Sequence, residues 1–476
     1  MSDASPMIVR AMPASPPRLE GHRSAYLVGI GGTGMCGAAE VLRARGIRVR
    51  GSDRLASDRT ARLERMGVPV DAAESAALPS DLDLVVHSAA VSAGHPQLRE
   101  ASRRGIATWK YAELLGALME GRFAVCVAGC HGKTTTTSLV ASALHHAGRD
   151  PAFVVGGVLR EFGSGARSGS GPHVVVESCE YDRSFHAHRP TVAVVTNVDE
   201  DHLDYYRDLA EIQEAFRVFA SRVPEDGVLI VNDAYAALFR GDPRIRARVE
   251  TYGFGEDALW RAGEPALAGP ARRTTFALAR GGAPVGRLEV PLLGAHNALN
   301  ATAAAAALSA AGLSFEEARA GLAAFGGVGR RLELVADEAG VLLFDDYGHH
   351  PAEIRAVVKA LRRRYEDRRL VLVFQPHQAS RTRCLLGDFA AALALADEVW
   401  LPPIYFARDS EEERRRVTSE DLAARVRNEG GRARTLADLE SVVEHAAASV
   451  RPGDVVVTMG AGDVDEVARG LARRLR

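Results

Sequence analysis

Cysteine is scarce and unpatterned in this chain. Only five occur, Cys36, Cys126, Cys130, Cys179 and Cys384, and no two stand at C-x-x-C spacing. That excludes a zinc ribbon and a disulfide framework and points to a reducing compartment. Excess charge of either sign is also missing. The 59 Lys and Arg face 61 Asp and Glu, interspersed, for a net charge of −2, so neither a nucleic-acid surface nor a polybasic membrane patch is indicated. No apolar run reaches the roughly 18 residues of a membrane span. Residues 1–22 are rich in Ser, Pro and Ala without the sustained apolar stretch of a signal peptide, and are expected to form a flexible extension. These absences leave a cytoplasmic protein whose partners are small molecules, with no nucleic acid and no membrane insertion. There is no internal repeat, and 476 residues are too many for one core, so several domains are expected.

The most informative stretch is Ala128-Gly129-Cys130-His131-Gly132-Lys133-Thr134-Thr135. The apolar run before it reads as a buried strand over 123–128, and Thr134 onward reads as a helix with Leu139, Val140 and Leu144 inward. Glycines let backbone N–H groups close on phosphate oxygens at the helix N-terminus, and Lys133, on a loop open to solvent, would reach the β/γ-phosphates. The Thr134 hydroxyl would ligate Mg²⁺. The first glycine of a standard Walker A would fall at Val127, so the loop is a variant. Cys130 reads as a small loop residue rather than a nucleophile.

Strand-like runs alternate with helical patterns throughout, the signature of α/β domains with largely parallel sheets. Three blocks emerge. The first carries Gly29-Ile30-Gly31-Gly32-Thr33-Gly34 after a strand, and Asp53 about 20 residues on, which matches a G-x-G-x-x-G diphosphate fingerprint. Backbone amides recognise the pyrophosphate and not the base, so Gly29, Gly31, Gly34 and Asp53 would serve NAD or a UDP-sugar equally. A chain that already spends ATP argues for the sugar nucleotide. His87 and Ser88 are candidates for the same site. In the central block the Gly/Ser-rich segment 163–171 is expected to be an exposed loop, and 250–290 a small antiparallel excursion. Helices are expected over 301–311 and 315–325. The last block shows strands at 341–344, 370–374, 398–401 and 454–459.

Acidic residues follow two central strands, Glu177 after 174–176 and Asp199-Glu200-Asp201-His202 after 192–195. Both clusters and the phosphate loop fall on the strand ends where open α/β sheets place ligands. Glu177 and His202 are therefore candidate Mg²⁺ ligands with Thr134. Asn297 and Asn300 open a helix, where Asn is ordinarily a cap. Arg330 and Arg331 open the last block, placed to reach a phosphate across a cleft. Two polar clusters follow strands there, Asp345-Asp346-Tyr347-Gly348-His349-His350-Pro351 and Gln375-Pro376-His377-Gln378-Ala379-Ser380-Arg381. The adjacent histidines diverge, so they do not chelate as a pair.

Together these residues resemble the Mur ligases of bacterial cell-wall synthesis, and within that family its alanine-adding branch, over 26–462. The likeness also takes in Gly51-Ser52-Asp53, Cys179-Glu180-Tyr181, Thr196-Asn197, His296-Asn297-Ala298-Leu299-Asn300 and Phe374-Gln375-Pro376-His377. It implies an α/β protein of three domains: a Rossmann-like N-terminal UDP-sugar domain over 23–120, a central P-loop-type ATPase domain over 121–327, and a C-terminal Rossmann-like domain over 328–476 that admits the amino acid. It implies ATP and Mg²⁺ as cofactors, UDP-N-acetylmuramate and L-alanine as substrates, and an acyl phosphate as intermediate. Lys133, Glu177, His202 and Arg331 would be catalytic. Residues 128–134 (Ala128, Gly129, Cys130, His131, Gly132, Lys133, Thr134), Asn297, Asn300 and Asp346 would bind ATP, and Tyr347, His377 and Arg381 would line the alanine pocket. In this chain Cys130 stands where Thr is common, and Gln378-Ala379-Ser380 replaces a more usual Arg-Tyr-Thr. Carboxylate recognition then falls on Arg381 and His377. Two other classes fit fewer motifs: an NAD-dependent dehydrogenase built on the first loop, and a nucleotide-switch module built on the second.

Overall fold

The computed structural model describes residues 17–72, 77–202, 205–268, 273–407 and 409–476. The first sheet has five parallel strands in the order Val70–Ala72, Arg48–Asp53, Ser24–Val28, Leu84–His87, Ala107–Lys110. Ser24–Val28 is buried along its whole length, as a parallel strand covered on both faces must be. The chain leaves this strand to either side, which makes a crevice at its C-terminal end, where the first glycine loop turns into the helix Thr33–Ala44. Residues 17–22, expected to belong to a flexible extension, lie against this domain. Leu19 packs on its core, and the His22 ring meets Trp109 edge-on with centroids 5.1 Å apart. The rest of the expected extension, 1–16, lies outside the described residues.

The second sheet has eleven strands. At its centre Phe123–Ala128 lies between Val192–Val195 and His173–Glu177, all parallel, so three polar strand ends converge on one edge. The helices Lys133–His146 and Ala295–Ala310 pack together on the sheet. Ala301 and residues 303–307, all alanine, are buried in the second, and side chains this small let the two helix axes approach closely.

Two expectations for this domain are corrected. The Gly/Ser-rich segment 163–171 contains the strand Ser164–Arg167, antiparallel to Ala152–Leu159. Its Ala166 is buried, and a Cβ at Gly37 of the first domain would lie 2.7 Å from Ala166 Cβ. Small residues there serve a close approach between domains rather than looseness. The antiparallel excursion expected over 250–290 is present through Arg273–Arg280, which pairs antiparallel with Trp260–Ala262, Ala266–Ala268 and Ala283–Val290, but it starts later than expected and continues the main sheet. Arg248–Gly253 and Trp260–Ala262 extend the parallel order, and antiparallel pairing begins only with Arg273–Arg280 and Ala283–Val290. Glu250 disguised the buried strand. Its carboxylate is buried because it accepts from Trp260 Nε1 at 2.7 Å.

The third sheet runs Glu333–Glu338, Val341–Asp346, Val455–Met459, Leu370–Phe374, Glu398–Leu401, Ala433–Thr435, parallel except for the first. Val455–Met459 thus separates the two strands that carry the polar clusters. The connection from the second sheet is tied at both ends. Val328 bridges to Leu159, and Gly329 N donates to Val158 O at 2.9 Å. Arg330, at φ 59°, donates to Asp345, to Gly460 O and to Gly462 O at 2.7–3.0 Å. Among the described residues no helix is long and apolar enough to cross a membrane.

Candidate active site

The central glycine loop is shaped by neighbours that leave no room for side chains. A Cβ on Gly129 would fall 1.9 Å from Thr196 Oγ1, and one on Gly132 2.6 Å from Asn300 Oδ1. Gly132 takes the left-handed conformation (φ 79°) and opens the helix Lys133–His146 without a side-chain cap, which leaves its first amides for an anion. The loop is clamped from the next strand end. His131 N donates to Asn197 Oδ1 at 2.8 Å, and Thr196 Oγ1 and Asn197 Nδ2 both donate to His131 O. Cys130 Sγ donates to Asp199 O at 3.2 Å, and burial pushes the thiol well up, in keeping with a structural loop residue.

Lys133 does not extend into solvent as expected. Its side chain is 13% exposed and folds back, with Nζ 3.0 Å from both carboxylate oxygens of Glu180, itself 2% exposed. It also donates to the carbonyls of Gly129 and Cys130. Burial opposes the ammonium charge, but Glu180 outweighs it and holds Lys133 above its ordinary range. For Glu180, burial is overcome by Lys133 and His202, which hold the carboxyl below the usual range. Glu180 is the site residue that sequence reasoning passed over. It follows a strand end like Glu177, and only its place in the family stretch marked it.

The proposed metal ligands fall in two places. Thr134 Oγ1 donates to Glu177 Oε1 at 3.1 Å, and Arg331 Nη2 of the third domain reaches Thr134 Oγ1 at 2.9 Å. His202 stands instead with Glu180 and Asp201, at 3.6 and 3.8 Å, and one ligand atom from each of these three lies within 4.8 Å of the others. Buried His202 Nδ1 has no hydrogen-bond partner among the described residues. Two carboxylates and an imidazole with a free nitrogen fit a divalent cation. Lys133, bonded to Glu180 and flanked by Glu177, links the two groups.

Between the second and third domains a cavity of about 510 Å³ opens beside the loop, lined by Gly132, Asn297, Asn300, Arg331 and Asp346 among others. Asn297 is not a cap, since Gly294 holds that position. Its Nδ2 donates to Leu293 O at 2.8 Å and its Oδ1 accepts from Asn300 at 3.0 Å. Asp346 accepts from Leu332 N and Gly348 N, both at 2.7 Å, while burial pushes its carboxyl up to about 6 against the pull of Arg331. The histidine pair diverges as expected. His350 Nδ1 caps the helix Pro351–Arg364, and His349 turns toward the His377 ring.

The expected alanine-pocket residues are not all gathered. Tyr347 lies against the Arg330 and Arg331 guanidiniums, 5.1 and 5.2 Å from its ring centre. His377 stacks on Tyr405 at 5.6 Å. Arg381, its side chain 8% exposed, pairs with Asp201 at 2.9 Å and lies 3.4 Å from His377 Nδ1. A second interdomain cavity, of about 340 Å³, is lined by Asp201, His202, Gln378 and Arg381 but by neither Tyr347 nor His377.

At the first glycine loop, Gly31 N donates to Asp53 Oδ2 at 2.8 Å. Gly29 has φ 80°, and a Cβ there would touch Ser88 at 3.4 Å. A Cβ on Gly34 would strike Tyr111 OH at 2.4 Å. His87, whose ring burial lowers in pKa, sits at the adjacent strand end with Nδ1 3.1 Å from Ser88 O.

Three family models match consecutive parts of the chain: Mur ligase family, catalytic domain, over 24–123; Mur ligase middle domain, over 127–308; and Mur ligase, glutamate ligase domain, over 330–462. The chain belongs to the Mur ligase family. It is 41% identical over 452 residues to a UDP-N-acetylmuramate--L-alanine ligase of Trichlorobacter lovleyi, covering 94% of this chain and 98% of that one. The protein of the same name from Sorangium cellulosum is 42% identical over 456 residues, 95% and 96% of the two chains. Among solved structures, the UDP-N-acetylmuramate-alanine ligase MurC of Thermotoga maritima superposes with a TM-score of 0.79 at 26% identity, covering 95% of this chain and 99% of that one. A murein peptide ligase of Psychrobacter arcticus reaches 0.69 at 25% identity, covering 95% and 98%.

The family's middle domain thus holds the clamped phosphate loop, and residues of its last domain, Arg331 and Arg381, reach back to Thr134 and Asp201. Such contacts across a domain boundary have no periodic signature in sequence. The position of Arg331 at a domain start hinted at the first contact, and the cluster after strand 370–374 marked Arg381 without its partner Asp201.

Proposed function

We propose that this Mur ligase uses ATP to join L-alanine to the lactyl carboxylate of UDP-N-acetylmuramate. The observation that carries the reading is near-full-length identity above 40% to proteins of that name, joined to a phosphate loop that lines one of two interdomain cavities, with Asp201 and His202 in the other. Residues 23–120 are assigned to the sugar nucleotide, 121–327 to ATP and 328–476 to the amino acid. The reaction is placed in the cytoplasm, in keeping with five unpaired thiols.

A carboxylate is a poor acyl donor, and replacing its oxygen by phosphate supplies a leaving group. A lactyl oxygen attacks the γ-phosphorus, ADP leaves, and an acyl phosphate forms. The neutral amine of alanine then adds to the carbonyl, the tetrahedral adduct expels phosphate, and the nitrogen loses a proton. The amides at Gly132 and Lys133 face the triphosphate, and Lys133 exchanges its loop carbonyls for phosphate oxygens. Arg331 neutralises charge from the opposite domain, and Arg381 pairs the alanine carboxylate. Thr134, Glu177 and His202 would hold Mg²⁺, with Glu180 and Asp201 alongside. When bound, the cation draws charge from the phosphate oxygens.

A coupled phosphate-release assay tests the reading with UDP-N-acetylmuramate and a panel of amino acids. Release is expected only when sugar nucleotide and amino acid are both present, with L-alanine preferred and glycine used detectably, since one pocket methyl is worth about 1–3 kcal/mol. Release from ATP alone at the full rate would overturn it.

A further inference from the structure

Along the helix Pro351–Arg364 the second and third domains line another, half-open cavity of about 410 Å³, which adjoins the one beside the phosphate loop and shares His296, Ala352 and Ala356 with it but none of the loop residues. Arg355, Lys359 and Arg363 line it, four residues apart in sequence and so on one helix face. Among the described residues no carboxylate lines it. The three cations have no ion pair or hydrogen bond with any described residue, in a chain where most helix arginines are paired. Like charges at this spacing repel one another. Arg363 gains from its place in the last helical turn, but Arg355 and Lys359 stand too far from the C-terminus for the helix dipole to compensate them.

The opposite wall points the same way. Gly294 and Ala295 line the cavity where the 16-residue helix Ala295–Ala310 begins, with Gly294 at φ 95° and no side-chain cap on the first turn. The partial positive charge of that helix end therefore faces three uncompensated cations. Leu267 supplies an apolar surface between them. Apposed positive groups around a half-open cleft with no described carboxylate in its wall are arranged for a compact polyanion.

We infer that this cavity binds a phosphate-bearing small molecule with at least two negative charges, at a site separate from both glycine loops. The ligand ties one domain to the other. The helix Ala295–Ala310 carries Asn297 and Asn300, and the helix Pro351–Arg364 carries Glu353, which lies 3.2 Å from His131 of the phosphate loop. An anion drawing the two helices together therefore acts on the adjoining ATP cavity.

Calorimetry with the full chain tests this, using inorganic pyrophosphate as probe in metal-free, low-salt buffer. UDP and a non-hydrolysable ATP analogue are kept saturating so that both glycine loops are filled. One saturable site is expected. Its affinity should fall at least tenfold in the double variant Lys359→Glu, Arg363→Glu, whose side chains are exposed, and should fall in Arg355→Gln. Lys133→Ala should leave it unchanged. Equal affinity in wild type and double variant, at matched melting temperatures, would overturn the inference. So would unsaturable pyrophosphate binding accompanied by retention on anionic lipid vesicles that the double variant loses, since that would make the face a membrane contact.

Discussion

The molecule contains two strand-glycine-helix turns that look alike in sequence and differ in what surrounds them. At Gly29 to Gly34 the loop amide of Gly31 is held by the Asp53 carboxylate, and the helix begins at Gly32 in an extended conformation. At Gly129 to Gly132 the loop is clamped by Thr196 and Asn197, the helix begins from a left-handed glycine, and a lysine is folded against a buried glutamate. Glycine and a helix end suffice to hold a diphosphate. A phosphoryl group is moved only where cations and carboxylates are packed around the same turn. On the proposed assignment the first loop is a grip and the second a reaction chamber.

The sharpest way to break that contrast is Lys133→Ala. Loss of one such electrostatic contact costs about 10²–10³ in rate, while UDP-sugar affinity at the first loop should not change. Because Lys133 is buried against Glu180, the variant should also unfold at lower denaturant. Removing one partner of a buried pair costs about 3–5 kcal/mol. Wild-type turnover in the purified variant would refute the role of the loop. Arg381→Ala comes next. It strips Asp201 of its guanidinium and is expected to raise KM for alanine well above any change for ATP or sugar; steady-state kinetics with each substrate varied in turn decides, and an ATP-only defect would mean the pocket is misplaced.

Gly31→Val sharpens the comparison from the other side. A Cβ there would lie 2.7 Å from Asp53 Oδ2, so sugar-nucleotide binding should weaken by at least about tenfold, or 1.4 kcal/mol, with ATP binding preserved. Saturable NADH binding competitive with the sugar would instead favour a dehydrogenase. The smallest effects are expected from Glu177→Gln and His202→Ala, each raising several-fold the Mg²⁺ needed for half-maximal rate. An unchanged metal requirement in both would reduce them to structural residues.

Much of this was legible before any coordinates. The strand Phe123–Ala128, the loop and the helix after it announce themselves because burial on both faces demands an unbroken apolar run. The α/β layering of all three domains follows from the same alternation. What escaped depended on distant partners. Segment 163–171 reads as a loop by composition, yet its small residues answer Gly37, more than 100 residues away. Glu250 sits in a buried strand only because Trp260, ten residues on, is folded beside its carboxylate. Glu180 acquires meaning only when Lys133 curls back across 47 positions, and Asp201 only when the third domain delivers Arg381.

The tie between the second and third sheets has a mechanical consequence. Val328 and the Gly329 amide belong to one body through Leu159 and Val158, and Arg330 is bolted to the other through three acceptors. Any swing of the last domain must therefore be absorbed at a pivot about one residue wide. So narrow an axle fixes the arc as well as its centre. Arg331, immediately beyond it, would travel a short lever and stay near Thr134, while Arg381, further out, would sweep the longer path and part from Asp201, where the proposed amino-acid site lies.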